Sequence, residues 1–364
     1  MVEQKIIAYK GFDRNLCCRG FQYEVGKEYE HTRNVVCRES GFHACTNPFD
    51  VLGYYLPHEG SRFCEVEQSG VIKLSDTDSI RSSSKIRIIR EISLGELAKA
   101  AVLWLEYKLN PNNYEENEKI RERTNNKSCS QINSTKDGVY FGIDNWCADF
   151  QVNSVGDWVR IGSRGPGSTI NSNGSFNKIS SSGSYVHIDS VGYRTQIGSS
   201  KIGATINFRG DYVKVCSIGD GPYIGSVGFG SIILSTGYAP KINATGNHSM
   251  IYSTGRSARI SADGDDVVIS SSGDNSLILS SGGGRHKIES TGLNSIICCT
   301  ARDSIVKAKV GSWITLSEWQ YSCENYCNIP ICTKTEYVDG KRIKGDTWYK
   351  LINGKFVKQL KQIL

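Results

Sequence analysis

Isoleucine or valine returns every ninth residue along the middle of this chain. The series runs Ile143, Val152, Ile161, Ile170, Ile179, Ile188, Ile197, Ile206, Val215, Ile224, Ile233, Ile242, Ile251, Ile260, Ile269 and Ile278. After one inserted residue near GGGR (282–285) it continues at Ile288, Ile297 and Val306. In INATGNHSMIYSTGRSARISADGDDVVISSSG (242–273), glycine keeps the same period at Gly246, Gly255, Gly264 and Gly273. A small residue stands two places after the aliphatic, as in Ser181, Ser190, Ser217, Ser226, Ala244, Ser253 and Ala262. That spacing puts both side chains on one face of a strand, and the glycine supplies backbone freedom for a tight corner. Each nonapeptide therefore reads as a short strand and a turn.

A lone unit of this kind cannot bury its aliphatic residue. Stacked units can, each aliphatic lying on the one below at about 4.8 Å. The pattern predicts a mainly β chain built on a β-solenoid, or β-helix, of about 19 nonapeptide units with about 18 residues per coil. The recurrent Ser or Ala keeps the two sheets close, so the coil is thin.

The pattern changes on either side. KIIAYKGF (5–12) and SRFCEVEQSG (61–70) read as strands, and NPFDVLGYY (47–55) as a short helix started by Asn47 and Pro48. In SLGELAKAAVLWLEYK (93–108), Ser93 and Glu96 fit a capping box, and Leu94, Leu97, Ala98, Ala101, Val102 and Leu105 recur at helical spacing. After the array, DG at 339–340 and NG at 353–354 sit between strand-like residues and read as hairpin turns. The organisation expected is an N-terminal α+β domain over 1–109, a polar linker over 110–137, the solenoid over 138–312 and a small C-terminal β cap over 313–364. Solenoid ends expose unpaired strand edges, so the flanks have capping as one task.

Alternate units fall on opposite faces of an 18-residue coil. One face collects Ile232, Leu234, Met250, Tyr252 and Val268; the other carries Thr169, Asn171, Thr205, Asn207, Lys241, Asn243 and Arg259. Contiguous apolar groups pointing outward on a rigid rod mark a partner-binding surface, for another protein or a second copy of this chain, or a face covered by the protein's own flanking domains. The turns lack the GGxGxD pattern of calcium-binding nonapeptides, and the outward residues form no regular threonine array of the kind that binds ice.

Composition narrows the options further. The formal charge of +6 over 364 residues is spread thinly, so nucleic acid is not favoured as a partner. No apolar run is long enough to cross a bilayer, and MVEQKIIAYKGF lacks the basic-then-apolar pattern of a signal peptide, so a cytoplasmic protein without membrane contacts is expected. The 13 cysteines are then reduced thiols rather than a disulfide framework. Cys323, Cys327 and Cys332 lack the paired CxxC spacing of a structural zinc site, and no cofactor motif is present. His43 and Cys45 lie two apart on an expected strand, which puts them on one side. A nucleophilic cysteine also needs a base within reach, and a packed histidine beside a buried thiol is the plainer reading.

The stretches KGFDRNLCCRGFQYEVGKEYEH (10–31) and SGFHACTNPFDVLGYY (40–55), the nonapeptide array, and the tail VDGKRIKGDTWYKLINGKFV (338–357) together resemble a family of uncharacterised phage and prophage proteins. The resemblance implies a viral protein acting in a bacterial host. A non-enzymatic binding protein is expected, engaging a host or viral macromolecule, with inhibition of a bacterial defence system as one such role. A virion structural part is another reading. GFHACTNPFDVLGYY followed by FCEVEQSG also resembles the strand, helix and strand of ADP-ribosyltransferases. That resemblance implies that Tyr54 or Tyr55 stacks on nicotinamide and that Glu65, Glu67 or Glu91 is a candidate for the catalytic glutamate. The usual His or Arg of the first strand is replaced here by Tyr9 and Lys10.

Overall fold

A computed structural model of the chain describes residues 5–75, 78–110, 121–123, 131–143 and 148–359. The chain divides into two compact units, residues 1–104 and 105–364.

In the first unit, Ile6–Phe12 pairs antiparallel with Arg62–Leu74, from Ile6 opposite Gln68 to Phe12 opposite Arg62, and with Phe42–Cys45 through Tyr9 opposite Cys45. Ile80–Ile92 pairs with Phe42–Cys45 on one edge and with Arg62–Leu74 on the other, so these four strands close on themselves. Glu28–Glu30 adds to the outer part of Ile80–Ile92. Register shifts at Glu65/Val66 and between Ser69 and Ile72 supply the bending that closure requires. The enclosed core holds Ala8, Phe12, Phe42, Cys64, Val66, Ile86 and Ile88.

Helix Pro48–Val51 begins where expected: the Asn47 side chain accepts from the Phe49 N–H, and Pro48 needs no donor in the first turn. Helix Leu94–Lys108 carries the capping box, with the Ser93 N–H donating to Glu96 Oε2 at 2.8 Å and the Glu96 N–H to Ser93 Oγ at 3.2 Å. Leu97, Ala98, Ala101, Val102 and Leu105 are buried, as their spacing predicts.

The second unit is a β-solenoid of about ten turns with about 18 residues per coil, spanning 131–316. Its two sheets consist of parallel strands. In one, Ile161, Ile179, Ile197, Val215, Ile233, Ile251, Ile269, Ile288 and Val306 stack in register; in the other, Val152, Ile170, Ile188, Ile206, Ile224, Ile242, Ile260, Ile278 and Ile297 do the same. All of them are buried, as is the residue two places on, which is small except at Phe208. The extra residue of 282–285 enters as a bulge, where Asp263 pairs with Ser281 and Asp265 with Gly284. The linker read over 110–137 lies largely outside the described residues; within it, Arg121–Arg123 and Gln131–Ser134 pair with the next solenoid strands.

The backbone freedom expected of the corner glycines is used at Gly174, Gly192, Gly210, Gly228 and Gly264, with φ between 148° and 156°, and the close stacking of the coils adds a second reason for glycine. A Cβ on Gly246 would lie 1.8 Å from the Gly228 carbonyl oxygen of the coil below, and one on Gly255 1.9 Å from that of Gly237. Close stacking excludes a side chain there. A left-handed residue also follows two places after the glycine, at Trp158, Phe176, Arg194, Tyr212 and His248, with φ between 54° and 61°.

At the C-terminal end, Trp313–Ser322 continues one sheet beside Ile296–Cys299, and Cys327–Tyr337 folds back antiparallel on it. Tyr349–Ile352 meets the other sheet at Val306 and forms a hairpin with Lys355–Lys358. Asn353 and Gly354 both have positive φ, as a two-residue turn with the matching twist requires. Asp339-Gly340 is not a hairpin turn: Asp339 Oδ1 accepts from the Lys341 and Ile343 N–H groups and shapes a loop, because Cys327–Tyr337 is already paired with the strand before it.

Candidate functional site

The first unit contains a cavity of about 350 Å³. Strand Ile6–Phe12 forms its floor. Alternation turns Ala8, Lys10 and Phe12 to the core side and leaves Tyr9 and Gly11 on the other. Gly11 gives up its side-chain space to the Tyr55 ring, which a Cβ would meet at 2.5 Å. Strand Phe42–Cys45 contributes His43, Ala44 and Cys45, and the short helix brings Val51 and, just beyond its end, Tyr54 and Tyr55. Cys18, Arg19 and Arg38 enter from the loops.

Lys10 is 5% exposed. Its ammonium donates to the His43 carbonyl at 2.8 Å and to Cys18 Sγ at 3.4 Å, and lies 5.3 and 5.6 Å from the Phe12 and Tyr23 ring centroids. Burial pushes its pKa down, opposed by the Cys18 thiol. Tyr55 donates to the same sulfur at 3.0 Å. Burial, and then the charges of Lys10 and Arg19, depress His43 to about 4, so its ring is neutral at pH 7. Its Nε2 is shielded and has no partner among the described residues. Tyr54 donates to Asp78, which also pairs with Arg38 at 3.1 Å; burial, and then the Asp78 carboxylate, push the Tyr54 pKa up, opposed by the Arg38 charge. Among the described residues, no carboxylate lines the cavity.

The structure therefore brings Tyr54, Tyr55, His43 and Cys45 together at one site and leaves the glutamates out. Glu65 pairs with Arg90 at 2.9 Å, Glu67 with Lys5 at 2.8 Å and Glu91 with Arg62 at 2.6 Å, none of them at the cavity.

The solenoid residues read as partner-binding need correction. Leu234 and Tyr252 are fully buried, Ile232 nearly so, and Met250 and Val268 are half-buried. Ser180 and Cys216 in the same outward row are buried too. This row offers no open apolar surface to a partner or a second copy. Strand alternation separates in from out, but does not tell whether other residues of the chain lie over an outward row. The opposite row is polar and open, bridged from coil to coil: Asn153 Nδ2 donates to Asn133 Oδ1 at 2.8 Å, Asn171 Nδ2 to Asn153 Oδ1 at 2.7 Å and Asn207 Nδ2 to Asp189 Oδ1 at 3.0 Å.

Exposed apolar surface gathers at a corner instead. Trp158, Phe176, Tyr193, Tyr212, Phe229 and His248 form one continuous column of rings with neighbouring centroids 4.4 to 5.7 Å apart. Trp158 is 59% exposed and Tyr212 45%. Beside it, Val155, Asn173, Val191, Arg209 and Val227 stand in register, and all three valines are exposed. The signal was available in the sequence: an aromatic residue one or two places after the corner glycine in successive 18-residue coils.

Closed antiparallel strands with a cation- and tyrosine-lined cavity in one unit, and a capped solenoid with an aromatic edge in the other, define a modular, mainly β protein. Residues 6–100 match the family described as Domain of unknown function (DUF7666). No curated protein and no solved structure matches the chain.

Proposed function

We propose that this chain is a phage-associated, non-enzymatic binding protein whose rigid β-solenoid and N-terminal domain engage a host or viral macromolecule, with inhibition of a bacterial defence system as its setting. The observation that carries the reading is the ring column from Trp158 to His248 with its parallel row of exposed valines, a contiguous apolar strip on a scaffold that cannot collapse around it. Arg194, whose guanidinium lies 5.1 Å from the Tyr193 centroid, and Arg209 give the strip a basic margin. Asp157 and Asp211 nearby accept from the backbone N–H groups of Ser175 and Phe229, and so serve the corner itself. The partner expected is a protein surface with apolar and acidic groups. The transferase reading calls for a glutamate facing the tyrosines, and the ion pairs of Glu65, Glu67 and Glu91 weigh against it.

The test is affinity capture from infected-cell lysate, read by mass spectrometry, with the wild-type chain beside a Trp158→Ser, Tyr212→Ser, Phe229→Ser triple variant that keeps its thermal unfolding midpoint. A host or viral protein held by the first and lost by the second is the expected outcome. Identical or empty captures would sink the reading.

A further inference from the structure

A buried ammonium ion needs a counter-charge or loses its proton, and Lys10 has no carboxylate partner among the described residues. It is placed at a cavity, not sealed within packed side chains. Its donors meet the His43 carbonyl and the Cys18 sulfur, and the ammonium otherwise lies over the Phe12 and Tyr23 rings, none of which carries a full negative charge. The exposed Arg19 lines the same cavity, and its guanidinium donates to the Arg38 carbonyl at 3.4 Å with no carboxylate partner among the described residues. The charge is thus positive and uncompensated by any lining carboxylate.

The remaining wall has the opposite character. Tyr9, Tyr54, Tyr55, Val51 and Ile80 make it aromatic and aliphatic, the kind of surface that accepts a flat ring. The His43 ring, neutral at pH 7, adds an uncharged edge to the wall.

We propose that this cavity binds a small planar aromatic anion, its charge on Lys10 and Arg19 and its ring against Tyr9, Tyr54 and Tyr55. The volume suits a nucleobase, its sugar and one anionic group, the size of a nucleoside monophosphate. The site lies wholly in the N-terminal unit and does not depend on the solenoid edge, so failure of either reading leaves the other standing.

Titration calorimetry of the full chain with adenosine 5′-monophosphate, adenosine and inorganic phosphate tests it. The monophosphate should bind saturably, and each half-probe at least about tenfold more weakly, because ring and charge are recognised by different walls. Lys10→Met should weaken monophosphate binding by about tenfold or more. Arg19→Gln, at an exposed position where folding is not in question, should weaken it several-fold and flatten its dependence on salt. Absence of saturable binding by the monophosphate overturns the proposal. So does binding that survives Arg19→Gln with affinity and salt dependence unchanged.

Discussion

Ser217, Ser235 and Ser253 stand in successive coils of the solenoid interior, fully buried, with hydroxyls that meet no hydrogen-bond partner among the described residues. A hydroxyl in such a place has lost water and gained nothing, at a cost of about 1 to 3 kcal/mol. Ser253→Ala is therefore expected to stabilise the chain by about 1 kcal/mol in urea unfolding, a direction opposite to most core substitutions. Gly246→Ala should do the reverse. Its methyl group would enter the space of the Gly228 carbonyl, and a loss of about 3 kcal/mol is expected in the same measurement. His43 gives a pH signature. Its folded pKa of about 4 lies below the ordinary value of 6.5, so between these limits the unfolded chain holds the extra proton and stability falls as pH is lowered from 6.5 to 4. His43→Asn should flatten unfolding midpoints across that window. Strand parity already put Lys10 on the same side as Ala8 and Phe12; that its ammonium would meet a sulfur, a carbonyl and a cavity depended on residues far away in the chain.

Among the elements, the helix Leu94–Lys108 follows local rules most closely. The Ser93 N–H, then Arg90 and the Ser93 hydroxyl, hold Glu96 at about 2, below the usual carboxylate range. Stability from this cap is present above the unfolded carboxylate value of about 4.3 and is lost as pH falls toward 2. An NMR titration of Glu96 should show that low midpoint, and Ser93→Ala should raise it. Capping boxes, the Asn353-Gly354 hairpin and the 18-residue coil were all legible because each is set by neighbours in sequence or by strict repetition. Asp339-Gly340 was misread for the converse reason. The same dipeptide makes a hairpin or a loop according to whether the preceding strand is free to pair, and Cys327–Tyr337 was already taken.

For the whole molecule, the C-terminal cap is the part with the clearest consequence. Cys327–Tyr337 covers the last strand of one sheet, and Tyr349–Ile352 with its hairpin partner meets the last strand of the other. Removing residues 323–359 would leave both edges with unpaired N–H and carbonyl groups, which template addition of another chain. Light scattering should then show concentration-dependent multimers that the full chain does not form.

The sequence by itself determined the solenoid, its coil length, the position of its inserted residue and which aliphatics form its core, because a nine-residue period repeated through the array leaves parallel stacking as the way to bury them. Tertiary structure alone decided which surfaces are open. The row of Leu234 and Tyr252 is apolar and buried, while the exposed apolar strip runs along the corner at Trp158 and Tyr212. Strand periodicity records on which side of its own backbone a residue lies. What covers that side is set by chain segments distant in sequence, and no local pattern encodes them.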